Sequence, residues 1–158
     1  MVKAMKHKIA VAILAALGMS AFAANDLKSM SDQQLQARWN KQADWYDKAY
    51  LLSGCHSRKV PNSDRSFTLC GTNGDKGTVS FRRKGEKLEN VEYMTKGDMG
   101  TAGSMFVRFV RGTHIGNAGQ VSMDLLRNAR VAGTSCSAEG SMQVCALWAN
   151  GEPAFEVK

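Results

Sequence analysis

The residues of this 158-residue chain with chemistry to offer are four cysteines, three histidines and fourteen carboxylates. Cys55, Cys70, Cys136 and Cys145 include no CxxC spacing, and only His56 and His114 follow the first few residues, so a cysteine/histidine zinc site is not indicated. Cys55-His56 places a thiol beside a base, but neighbours on an extended segment point to opposite sides, and an even number of cysteines favours disulfides. The acids for paired-carboxylate hydrolysis are present, yet none stands in a recognisable setting. The glycine-rich stretch KGDMGTAGS lacks the Gly-Lys-Ser/Thr ending of a phosphate loop. GTNGDKG lacks the spaced acids and closing glutamate of a calcium loop. His114, in RGTHIGNAGQ, has no evident companion base and reads as a solvated loop residue. The sequence therefore nominates no catalytic residue, no metal ligand and no cofactor, and a non-enzyme is expected.

The elements that would position a site begin after a leader. MVKAMKHK carries Lys3, Lys6 and Lys8 with no acid, the apolar run IAVAILAALGM follows, and Ala21-Phe22-Ala23 supplies a small-x-small exit. The run is shorter than the ~20 residues a membrane span needs, so residues 1–23 read as a cleaved signal peptide and Ala24 as the start of the mature chain. No cysteine stands at the cut and no other long apolar run occurs, so no stable membrane anchor is expected after cleavage. Loss of three lysines takes 21 basic residues to 18 against 14 acidic ones, and the net charge from +7 to +4. That mild charge permits attraction to an anionic surface without defining a ligand. Residues 24–158 are long enough for one exported domain that buries about two thirds of its unfolded surface.

Export places the cysteines in an oxidising compartment, periplasmic or secreted. Three pairings are possible; the local one, Cys55 with Cys70 and Cys136 with Cys145, is preferred because each pair brackets a turn-rich segment that two antiparallel strands would flank. Closing a loop of about fifteen residues stabilises by about 3 kcal/mol in the chain-entropy view.

Within residues 24–53 one amphipathic helix is expected, over about 32–52. Ser31 and Gln34 form a capping box, and Met30 with Leu35 a hydrophobic staple. Leu35, Trp39, Ala43, Tyr46 and Tyr50 fall within about 40° of one direction at ~100° per residue, which marks the buried face. Trp45 points away from it beside Asp44 and Asp47, as a residue of a flanking segment or as an exposed contact for a partner. From residue 55 to 158 the pattern turns β-rich, with strands expected at 66–71, 78–83, 88–95, 105–111, 120–133, 142–149 and 154–158. Gly and Asn punctuate the turns between them. The expected fold is α+β: one N-terminal amphipathic helix packed on a twisted antiparallel β-sheet or partial barrel of about six to seven strands, with two disulfides.

One of these segments, AGSMFVRF, resembles the second half of the RNP1 signature of RNA-recognition motifs, with Gly103, Phe106, Val107 and Phe109 at matching positions. Ala102 and Ser104 replace the leading base and one stacking ring, so no nucleic-acid partner is expected. Read as a strand, it turns Met105, Val107 and Phe109 inward and leaves Phe106 and Arg108 on the other face, a composition suited to protein contacts. In RRKGEK, Arg82 and Arg83 are the other candidate contacts, offset by Glu86, Glu89 and Glu92 as a solvated hairpin or offered to an acidic partner.

The function expected is that of an exported envelope protein that binds another protein: an inhibitor, an immunity protein or an accessory factor of secretion or conjugation. The partner would be an envelope enzyme, a toxin or a secretion component. Two alternatives come from other classes. A wide cysteine pair followed by the close pair of GTSCSAEGSMQVC is loosely similar to pertussis-like B subunits, which would imply a carbohydrate-binding module or toxin delivery subunit. The long N-terminal helix and the absence of an expected central helix depart from that family. A small hydrolase would need a cleft of convergent acids.

Overall fold

A computed structural model describes residues 27–113, 116–139 and 142–158; the expected signal peptide and His114 lie outside the described residues. Helix α1, Asp32–Tyr46, starts at the expected cap. The Ser31 hydroxyl accepts from the Gln34 N–H at 3.3 Å, and the Gln34 side chain accepts from the Ser31 N–H at 2.8 Å. Leu35, Trp39 and Ala43 are fully buried. The helix ends well before the expected residue 52, because the Asp47 carboxylate accepts from the Ala49 N–H at 2.9 Å and starts a separate 3-10 turn, Lys48–Tyr50. Tyr50 is buried all the same, its carbonyl accepting from Trp39 Nε1 at 2.8 Å.

Among the described residues seven strands make one antiparallel sheet: β1 (Leu52–Lys59), β2 (Arg65–Thr72), β3 (Gly77–Lys84), β4 (Lys87–Thr95), β5 (Thr134–Glu139), β6 (Met142–Ala149) and β7 (Glu152–Val157). Their order is β1-β2-β3-β4-β7-β6-β5, an open sheet rather than a partial barrel. The three described α-helices pack on one face, and the α+β class is as expected. The Cys55–Cys70 and Cys136–Cys145 disulfides are the expected local pairs. Each staples an edge strand, β1 or β5, to its inner neighbour, where an unpaired strand edge is most prone to peel or recruit another chain.

Two expected strands are helices. Residues 105–111 belong to α2 (Met99–Arg111), and 120–133 fall largely within α3 (Ala118–Ala132). Met105, Val107 and Phe109 do alternate, but Ala102, Met105, Phe106, Phe109 and Val110 also follow helical spacing, and all five are fully buried. The ends decide between the two periods. Asp98 caps α2 by accepting from the Gly100 N–H at 3.0 Å and from the Thr101 hydroxyl, and Gly112 closes it in the left-handed conformation, φ 71°. In α3, Ser122, Leu125, Leu126 and Ala129 take the inward spacing.

Gly103 lets α2 sit close on its neighbours: a Cβ there would stand 2.4 Å from Phe155 Cζ on β7 and 2.8 Å from Ser122 Cβ on α3. Trp39 centres the aromatic core, 5.1 Å from both Tyr93 and Phe109, and Phe106 bridges to Phe155 at 5.7 Å. Burial pushes the Tyr93 phenol far above its ordinary range and that of Tyr50 up to about 12.

Candidate functional site

The five residues nominated as partner contacts fall in four places. Phe106 is fully buried in the aromatic core, so it offers no surface. On a strand it would oppose Met105, whereas on α2 both face inward. Arg83 is also removed from the surface set. Its Nε donates to Asp32 at 2.6 Å, and its other nitrogens donate to the carbonyls of Glu86, at 2.8 Å, and Met30. The Asp32 carboxylate accepts in addition from Thr68 Oγ1, so Arg83 ties β3 to the first turn of α1.

Trp45 and Arg108 come together. Trp45 stands in the last turn of α1 with 56% of its surface exposed, and the Arg108 guanidinium lies against its ring with Tyr46 also in range. Arg108 Nε and Nη1 are buried and have no hydrogen-bond partner among the described residues, so the rings are what compensates this charge. Nearby, Arg38 holds α1 to the end of α2 through bonds to the carbonyls of Phe109 at 2.9 Å and Val110 at 2.7 Å. Burial lowers the Arg38 pKa from its ordinary value.

Arg82 lies on the bare face of the sheet, opposite the helices. Alternation along β2, β3 and β4 sends Thr68, Cys70, Val79, Phe81, Val91 and Tyr93 inward. The same alternation leaves Phe67, Leu69, Ser80, Arg82, Asn90, Glu92 and Met94 outward. These residues, with Val60, Arg65 and Glu89, line a shallow groove of about 610 Å³. Leu69 and Met94 are nearly half exposed, at 45% and 46%. Arg82 pairs with Glu92 at 2.7 Å and Arg65 with Glu89 at 3.4 Å.

Glu92 on β4 stands directly opposite Glu156 on β7, a like-charge pairing that sheets ordinarily avoid. Each carboxylate has its own compensation. Arg82 serves Glu92, while Glu156 is bonded by Asn90 Nδ2 at 2.8 Å and lies 3.1 Å from Lys158 Nζ. This pair was invisible to sequence reasoning because its members are 64 positions apart; only the β4–β7 register joins them.

Among the described residues no group of three or more His, Cys, Asp or Glu could hold a metal ion. Cys55 is disulfide-bonded, so Cys55-His56 presents no thiol. No described helix is long and apolar enough to cross a membrane. Two disulfides are consistent with a non-cytoplasmic chain. Compared with protein-family models, curated proteins and solved structures, the chain matches none of them.

Proposed function

We propose that this is an exported envelope protein, periplasmic or secreted, that binds another protein without catalysis, as an inhibitor, an immunity protein or a secretion accessory factor. One observation carries the reading: the helices close one face of the sheet, while the other bears Leu69, Met94 and Phe67 inside a rim of Arg65, Arg82, Glu89 and Glu92. An apolar centre within a polar, arginine-containing rim is the anatomy of a protein interface. The rim charges are matched within the chain, Arg65 with Glu89 and Arg82 with Glu92, so the apolar centre they frame is what a partner would cover.

The test uses the disulfide-bonded protein to capture partners from its own envelope fraction, with each variant compared against the parent. Leu69→Asp and Met94→Asp change exposed side chains and should leave the fold intact. A partner that binds the parent one to one after purification, and is lost with either variant but kept by Trp45→Ala, supports this face. Retention by both sheet variants would overturn the assignment.

A further inference from the structure

A second concave surface lies on the other side of the molecule, where the start of α2 and the latter half of α3 meet the end of β6. Its volume of about 500 Å³ is in the ~300–1,000 Å³ range of small-ligand sites. Met99, Met123, Leu126, Val131 and Trp148 make an apolar lining, of which Met123 is 45% and Val131 89% exposed. Thioether side chains adapt to flexible apolar ligands, and paired exposed apolar residues at a concavity suggest an occupant.

Among the described residues three charged side chains line this cleft, Asp98, Arg127 and Arg130. The Asp98 carboxylate is committed to capping α2, with the Gly100 N–H and the Thr101 hydroxyl as its donors. Arg127 lies 3.5 Å from Asp124, which also accepts from Gln120 at 2.8 Å. Arg130 has no acidic partner among the described residues; its guanidinium lies 5.9 Å from the centre of the Trp148 ring. Among the described residues the cleft thus combines an apolar floor with one cation, Arg130, that has no acidic partner.

We infer that this cleft binds a single-chain anionic amphiphile, a fatty-acid-like molecule whose chain lies along Met123, Leu126 and Trp148 and whose carboxylate meets Arg130. The site goes beyond the proposed protein interface and uses none of its residues. Dodecanoate, kept below its aggregation concentration, is the probe, titrated calorimetrically into the disulfide-bonded protein.

Saturable one-to-one binding is expected, weakened at least tenfold by Met123→Glu. Arg130→Gln should weaken dodecanoate several-fold while leaving the neutral dodecyl maltoside unchanged, and Leu69→Asp on the sheet face should change neither. Absence of saturable binding, equal binding by Met123→Glu, or loss on Leu69→Asp would each overturn the site. An equal effect of Arg130→Gln on both probes would overturn its preference for anions.

Discussion

The Arg108 guanidinium lies 4.6 Å from the centre of the Trp45 ring and 5.1 Å from that of Tyr46. Two of its nitrogens are buried with no acceptor among the described residues, so the π-faces supply the favourable electrostatics an acid would otherwise provide. A double-mutant cycle with Trp45→Ala and Arg108→Met should give a coupling of about 0.5–2 kcal/mol in denaturant unfolding. Strict additivity would show that ring and guanidinium do not touch in solution.

Arg83 supports the fold rather than a partner. Its bonds to Asp32, Met30 and Glu86 are made by a side chain only 11% exposed. Arg83→Gln should lower stability by about 2–3 kcal/mol, because it breaks charge-assisted bonds and leaves Asp32 with one fewer donor. Arg83→Lys should recover only part of that loss, since a single ammonium cannot replace a fork aimed at three acceptors. Full recovery in urea titrations would argue for charge alone.

Gly103 is fixed by space rather than by backbone freedom. A methyl group there meets the fully buried Phe155 ring on one side and Ser122 Cβ on the other. Gly103→Ala should therefore destabilise by about 1–3 kcal/mol through overpacking, despite the better helix propensity of alanine. A rise in melting temperature would contradict this packing.

Asp98 makes the stability pH-dependent in a defined window. Its pKa is lowered chiefly by the Thr101 hydroxyl, helped by the Thr101 and Gly100 N–H groups and the Lys76 charge, against a smaller effect of burial. A carboxyl with a lowered folded pKa contributes its stability above the unfolded value near ~3.9, and loses it as pH falls through the folded one. Asp98→Ala should cost about 1 kcal/mol at neutral pH. The gap to the parent should hold constant down to about pH 5 and close only in stronger acid. A gap independent of pH between 2 and 7, about the full carboxyl range, would show the cap does not need the charge.

What the sequence reveals depends on how local the determining contact is. The Ser31–Gln34 box and the Cys55–Cys70 and Cys136–Cys145 pairs were legible because each is set by a short segment and its turn chemistry. The α2 segment satisfies both periods, since Met105, Val107 and Phe109 alternate as a strand's inward residues would. The local signals that separate the two periods are Asp98 before the run and Gly112 after it, an N-cap and a left-handed C-cap. Trp45 and Arg108 were each picked out by type, but their contact spans α1 and α2, and no spacing rule connects residues that far apart. Arg82 and Arg83 looked equivalent in sequence; alternation on β3 sends one to the bare face and the other under α1.

The strand order carries a consequence for how the molecule is assembled. β7 is the last of the seven strands to be synthesised, yet it lies between β4 and β6, meeting β4 through Val91 to Met94. The β1–β4 meander can zip from its own hairpins, and β5 with β6 from theirs, but the two halves share no ladder until β7 arrives. That late long-range pairing should set the refolding rate and leave the outer edges of β4 and β6 open to chaperones in the interval. A nascent chain halted before residue 152 would then hold the β1–β4 meander and the β5–β6 hairpin without a common sheet.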